Sequence, residues 1–195
     1  MLHTPRLIVR QLSVDDLEAF HQVWGDPDVI FWGAMFDLDS SRIMLEDLLK
    51  RRLDGIDESG WFGVFRRADM QFVGDVVLEP ASWDSGIPEV GWHLARAFQR
   101  HGYATEAARA LLDHAGSAGV REVWAKVLPT NTASQRVATR LQMRRSGHLD
   151  HALGAHELWH KRLGLAPIIS ACPSATRRIV PLSHQARSWR ARRMM

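Results

Sequence analysis

The sequence is short of cysteine, of long apolar runs and, toward its end, of acid. Its 195 residues include one cysteine, Cys172, so no internal disulfide can form. That residue lies in a Pro/Ser-containing segment away from every other motif and is not taken as a nucleophile. No run approaches the roughly 18 apolar residues a membrane-spanning helix requires. Met1-Leu-His-Thr-Pro-Arg6 lacks the charged and apolar regions of a secretory signal. No membrane partner is therefore expected, and a cytoplasmic location is. Acid is missing after Glu157: from Lys161 onward there are eight Lys and Arg and no Asp or Glu. The net charge of +3 thus combines a mildly acidic body with a strongly basic end.

What is present fits one globular domain. The apolar fraction is 46% with eight tryptophans, and this length suits a single sizeable core. The charge asymmetry sets a boundary near residue 163, giving a domain over 1–163 and a basic tail over 164–195, expected to be disordered or loosely docked. The tail's six arginines can attract an acidic surface. With no aromatic interleaving beyond Trp189, nucleic acid is not an expected partner.

Alternation in Arg6–Leu12 predicts a strand. Ser13 is a good N-cap for a helix over 14–24, with Asp15 and Asp16 in its first turn. A second helix is expected from Ser40 to Leu53, capped by Asp39 or Ser40 and stopped near Gly55. Trp61–Arg67 and Phe72–Leu78 read as a hairpin, Pro80–Pro88 as a loop, and Pro88–Ala95 as a strand. A helix follows from Gly102 to about Ala118, with an apolar stripe of Ala104, Ala107, Ala108, Leu111, Leu112 and Ala115. Val120–Leu128 is a strand, Asn131–Leu141 a helix, and 143–150 and 156–162 are short strands. The expected fold is α/β with a mixed sheet, in the order β-α-α-β-β-β-α-β-α-β-β.

The most informative stretch runs from Glu89 to Arg109, a strand passing through a glycine turn into an alanine-rich helix. A helix starting directly at a turn offers unpaired N–H groups and the positive end of its dipole to an anion. Gly102 lets the backbone approach a ligand closely, and Arg100 and His101 add positive charge. The physical reading is a pyrophosphate site. In Pro129-Thr-Asn-Thr-Ala-Ser134, Asn131 reads as an N-cap with Ser134 in the first turn, which leaves both able to face a ligand.

These segments, with Thr4-Pro-Arg-Leu-Ile-Val-Arg10 and Gly74-Asp-Val-Val-Leu78, resemble the GNAT superfamily of N-acetyltransferases over roughly residues 4–162. Within it, the chain is similar to the Rim-type branch that acetylates ribosomal-protein N-termini. The resemblance implies the GNAT fold, a mostly antiparallel mixed sheet flanked by helices, with acetyl-CoA as cosubstrate. Gln99, Gly102 and Ala104 match its pyrophosphate signature. The cofactor-binding candidates are Trp92, Leu94, Gln99, Arg100, His101, Gly102, Tyr103, Ala104, Thr105 and Asn131, with Asn131 and Ser134 near the pantetheine arm and thiol. Two departures stand out. Arg100 occupies a position where the branch has glycine, and can replace a backbone contact with a guanidinium–phosphate one. Leu141-Gln142-Met143 replaces Leu-Gly-Phe, and Gln142 suggests a different exit from the helix.

Strand alternation puts Glu89, Gly91 and His93 on one face, with Val90, Trp92 and Leu94 on the other. Amine acetylation needs a neutral amine, so a base is useful. The resemblance favours Glu89 and intrinsic pKa favours His93; the sequence does not separate them. Ser134 is the candidate to protonate or orient the departing thiolate, and strand amides to stabilise the oxyanion. His156-Glu-Leu-Trp-His160 spells a zinc-protease pattern, but that chemistry needs a helix and the segment falls where the last strand belongs, so no metal is expected.

The expected activity is direct transfer of acetyl from acetyl-CoA to a primary amine of a small molecule or protein N-terminus. The alternative is an acyl-CoA-binding module without turnover. A homodimer is compatible with either. The loops at 25–38 and 79–88 are those that would line the acceptor; their Trp32, Phe36 and Trp83 read as loop packing in the first instance, with a hydrophobic acceptor wall as the alternative.

Overall fold

A computed structural model describes residues 1–29, 37–50, 59–151 and 154–164. One eight-stranded sheet runs through it in the order β1-β2-β3-β4-β5-β6-β8-β7. The strands are β1 (Leu2–His3), β2 (Leu7–Gln11), β3 (Gly60–Arg66), β4 (Phe72–Ala81), β5 (Asp84–Leu94), β6 (Glu122–Val127), β7 (Arg144–His151) and β8 (Gly154–Arg162). Every neighbouring pair is antiparallel except β5–β6. The helices are α1 (Leu17–Trp24, entered through a short 3-10 turn), α2 (Leu38–Leu48), α3 (Tyr103–Ser117) and α4 (Thr132–Arg140). Among the described residues no helix is long and apolar enough to cross a membrane.

The predicted element order holds from β2 onward, and the two-residue β1 precedes it. Two local expectations need correcting. The expected loop at Pro80–Pro88 is a tight hairpin: β4 continues to Ala81, β5 begins at Asp84, and Pro80 faces Pro88 across the ladder. Proline is tolerated in a strand where its missing N–H is not needed, so the two prolines mark the hairpin's end without breaking it. The second helix starts two residues earlier than expected. Its N-cap is Asp37, whose carboxylate accepts from Ser40 N–H at 2.7 Å, in place of Asp39 or Ser40. The expected stop near Leu53 and Gly55 lies outside the described residues.

The sheet buries two different faces. On one, α3 lays down the predicted stripe, with Ala104, Ala107, Ala108, Leu111, Leu112 and Ala115 all buried. They pack on Leu7, Val9, Val64, Val76, Leu78, Val90 and Leu94. Alanine at the contact lets the helix approach the strands closely. On the other face, α1 and α2 cover Trp61 and Val77 with Phe20, Val23, Trp24, Leu45 and Leu48.

The exit from α4 corrects a further expectation. Gln142 sits at φ 63, the left-handed conformation glycine would adopt, with Gln142 N–H on Thr139 O at 2.9 Å and Met143 N–H on Ala138 O at 3.0 Å. This pair of bonds is a Schellman end. The helix leaves by the route a glycine takes, because the two closing bonds and burial of Met143 against Ala138 outweigh the conformational cost of glutamine.

Candidate active site

The turn before α3 is left-handed twice. Gly102, the N-cap, has φ 82, and Arg100 has φ 66. A glycine is therefore favoured at position 100 for backbone reasons, and Arg100 holds that conformation while keeping an exposed side chain. The loop is braced from both sides. Gln99 donates its amide N–H to Leu94 O at 3.1 Å, and Arg6 donates to His101 O at 3.0 Å and covers the Tyr103 ring at 4.6 Å. Glu106, in the first turn of α3, accepts from Thr4 Oγ1 at 2.6 Å and from Arg6 Nε at 2.7 Å. Burial raises the Glu106 pKa, but hydrogen bonds from Thr4 and Arg6 outweigh it and hold the carboxyl below its usual value. Thr4-Pro-Arg6 thus anchors the helix start, a role the sequence reading did not assign.

The amides of Tyr103, Ala104 and Thr105 precede the first intrahelical bond, Glu106 N–H to Gly102 O at 3.1 Å, so no helix carbonyl reaches them. The Thr105 hydroxyl is buried and has no hydrogen-bond partner among the described residues. An orphaned donor beside three helix-opening amides fits the phosphates of acetyl-CoA. Gly102 and Ala104 keep this turn free of bulk, and His101 stays exposed at its rim.

β5 and β6 meet at one register position, Glu89 opposite Trp124. Beyond it the strands part, and among the described residues the β6-facing edge of Val90–Leu94 has no ladder partner. α4 opens beside this gap. Asn131 caps it by accepting from Ser134 N–H at 3.0 Å, and Trp92 Nε1 donates to Ser134 Oγ at 3.3 Å. Trp92 on β5 and the Asn131–Ser134 turn of α4 are thus joined across the gap. Because Ser134 Oγ accepts from Trp92, its own hydroxyl proton remains to be donated.

The opposite face of β5 carries Glu89, Gly91 and His93, as the alternation predicted. Register pairs each with β4: Glu89 faces Glu79, Gly91 faces Val77 and His93 faces Asp75. Glu89 keeps some solvent contact, yet surrounding protein pushes its pKa up to about 7. Burial is the main cause, Lys126 opposes it, and Glu79 adds to it. Trp61 Nε1 donates to Glu79 at 3.0 Å. Lys126 is held on Ser82 Oγ at 2.9 Å with its ammonium 5.4 Å from the Trp83 ring. Asp75 is fully buried, bonded to His93 and Trp24. Asp75, Glu79, Trp24, Trp61 and Lys126 were not predicted as site residues. Asp75 had a visible signal, a carboxylate inside the apolar run Phe72–Leu78. The others required the register.

The H-E-x-x-H segment lies in β8, where residues four apart are separated by about 13 Å along the strand. His156 Nδ1 bonds Gly154 O, Glu157 pairs with Arg145, and His160 pairs with Glu122. Among the described residues no cluster of His, Cys, Asp and Glu could hold a metal ion. Trp32, Phe36, Cys172 and the tail after Gly164 lie outside the described residues.

The architecture has counterparts of known structure. A ribosomal-protein-S5-alanine acetyltransferase from Vibrio fischeri superposes with a TM-score of 0.66 at 18% identity, over 85% of this chain and 98% of that one. A spermidine N-acetyltransferase from Vibrio cholerae, solved with CoA and spermine, gives 0.68 at 15% identity, over 82% and 97%. In sequence, the uncharacterized N-acetyltransferase p20 of Bacillus licheniformis is 26% identical over 152 residues, 76% of this chain and 84% of that protein. Residues 6–144 match the acetyltransferase (GNAT) domain family, which spans the helix-opening amides, the parted strands and Glu89 alike. The chain belongs to the GNAT acetyltransferases and transfers an acetyl group from acetyl-CoA to an amine.

Proposed function

We propose that the amides opening α3 hold the diphosphate of acetyl-CoA, that Glu89 takes the proton from the attacking amine, and that Ser134 serves the departing thiolate. The observation that carries this reading is the position of Glu89. It stands at the single point where β5 and β6 meet, with a carboxyl pKa of about 7. A general base works best with a pKa near the working pH, and an ordinary exposed glutamate is too weak for an amine. Acetyl-CoA supplies the activated acyl carbon, and the remaining work falls to the protein. Unpaired β5 amides beyond Glu89 can donate to the developing oxyanion, and the Ser134 hydroxyl can donate to the sulfur. Arg100 and His101 add positive charge at the phosphate end.

The acceptor is a cationic primary amine. Three carboxylates, Asp75, Glu79 and Glu89, share a face lined by Trp24 and Trp61, a setting that draws ammonium groups. The structural relatives act, by name, on an alanine of ribosomal protein S5 in one case and on spermidine in another, and the Rim-type sequence motifs support the first of these. The catalytic domain closes with β8 at Arg162, which supports a boundary near residue 163.

Two measurements test this. Titration calorimetry should detect acetyl-CoA binding, and a panel of alkylamines, polyamines and peptide N-termini should release free CoA thiol. Absence of binding at millimolar acetyl-CoA would sink the phosphate assignment. Binding without thiol release on any acceptor would convert the reading to a binding module.

A further inference from the structure

Asp75 is a fully buried carboxylate in the middle of the sheet, between Val73 and the pair Val76-Val77. Burying a carboxylate is costly unless its oxygens are hydrogen-bonded, and here both are. Oδ2 accepts from Trp24 Nε1 at 2.9 Å and Oδ1 from His93 Nδ1 at 2.8 Å. The His93 ring packs in a triangle with two indoles that are themselves 5.4 Å apart. Trp24 is 4.6 Å away at a tilt of 58°, and Trp61 is 5.8 Å away and nearly parallel at 2°. Gly74 presses β4 against this point, since a methyl there would collide with the His93 carbonyl. The imidazole is held on three sides, yet 15% of its side chain remains exposed.

The donor–acceptor inventory fixes the tautomer. An ionised carboxylate only accepts and an indole N–H only donates, so Nδ1 carries the hydrogen and, in the neutral ring, Nε2 carries the lone pair. Cε1, the carbon between them, lies 3.8 Å from where a methyl on Gly91 would sit. That edge is turned along β5 toward Gly91 and Glu89, with the Val77 side chain filling the place a methyl on Gly91 would take. The titratable groups sharing this face are Asp75 and Glu79 on β4 and Glu89 on β5. From α1 and β3 the ring meets Trp24 and Trp61.

We infer that Asp75 is a positioning residue for acetyl transfer: it locks His93 with Nε2 as proton acceptor, and His93 takes the first of the two protons an acceptor ammonium must lose. The inference rests on the reading of this face as the acceptor side. The ammonium N–H bond breaks and Nε2–H forms, moving one positive charge from the acceptor to an imidazolium beside the Asp75 carboxylate. The amine's freed lone pair attacks the thioester carbon, and the C–N bond forms as the C–S bond breaks. The second nitrogen proton goes to Glu89. One of the two protons ends on the thiol and the other reaches solvent from the exposed edge of His93, so the sum is ammonium plus thioester giving amide, thiol and one proton.

Asp75→Asn supplies a specific test. Trp24 can only donate, so it claims the asparagine oxygen, and the asparagine NH2 then turns to His93. Nδ1 must accept, and Nε2 carries the hydrogen. Nitrogen-15 NMR of histidine-labelled protein, with His93 assigned from the signal lost in His93→Gln, should show the Nδ1–H tautomer in the native protein and Nε2–H in Asp75→Asn. Rates should be compared for a strongly basic alkylamine and a weakly basic arylamine already neutral at the assay pH. Asp75→Asn and His93→Gln should each lose about a hundredfold in kcat with the alkylamine, and less than about threefold with the arylamine, while acetyl-CoA affinity is unchanged. Equal losses on both acceptors, or Nε2–H in the native protein, would overturn the inference. The native tautomer needs neither a variant nor an acceptor, so a poorly folded variant does not shield it. Glu89→Gln serves as the separate control. If it retains activity while the two other variants keep their acceptor dependence, the Glu89 assignment fails and the Asp75–His93 assignment stands.

Discussion

On the α3 side of the sheet, β4 contributes Val76 and Leu78 and β5 contributes Val90 and Leu94. On the α1–α2 side the same two strands contribute Asp75, Glu79, Glu89 and His93. The first face needs only volume and shape, which small and branched apolar side chains supply. The second accepts buried charge because it includes two tryptophans, whose indoles donate to Asp75 and Glu79 while their rings fill the core beside Phe20. Strand alternation lets one stretch of chain hold both without compromise. Both faces hold a hydrophobic core; the proposed proton chemistry belongs to the second alone, and the proposed place of the thioester is the edge where β5 leaves β6.

The sharpest way to break that contrast is Glu89→Gln. It should lower kcat by about a thousandfold with acetyl-CoA affinity unchanged, as measured by steady-state kinetics beside calorimetry. On the opposite face, Leu111→Ala should cost about 3 kcal/mol of stability in denaturant unfolding, while the folded fraction retains its turnover. The same Glu89→Gln variant tests whether the polar face is held at the expense of stability. A carboxyl with a folded pKa of about 7 binds its proton more tightly folded than unfolded. Its contribution is therefore fully present below about pH 4.5 and lost as pH rises through 7. Above pH 8 the glutamine variant should be more stable than the native protein by on the order of 3 kcal/mol, with the gap closing toward pH 4. Equal stability across that range would show that Glu89 is solvated like any surface carboxylate.

Two smaller changes sharpen the picture at the cofactor end and away from it. Thr105→Val removes a hydroxyl that no described residue satisfies, so folding should be unaffected while acetyl-CoA binding weakens about tenfold. A loss of stability without loss of affinity would reassign that hydroxyl to the fold. Gln142→Gly should raise stability by about 1 kcal/mol and leave kinetics alone, because it relieves a left-handed glutamine far from either reacting group.

The parts of this molecule legible in the sequence are those whose signal is local. Gly102 before an alanine stripe fixes a helix start, and the stripe is buried as the 3.6 period requires. Asn131 and Ser134 are three residues apart, which is what an N-cap needs. Alternation alone places Glu89 and His93 on one face. The missed features depend on what lies across the ladder. Asp75 meets His93 only through the β4–β5 register, Trp24 reaches Asp75 from 51 positions away, and Arg6 braces His101 from 95 away. Pro80 and Pro88 suggest a loop until they are seen facing each other. Gln142 misleads because side-chain propensity is a weaker constraint than two closing hydrogen bonds.

The most direct test of the account is a crystal structure with bound CoA. The diphosphate should lie on the amides of Tyr103–Thr105 within reach of the Thr105 hydroxyl, with the thiol in the gap between β5 and β6 beside Ser134 and close to Glu89. A CoA bound elsewhere, or the Arg100 side chain folded into the space before α3, would contradict it.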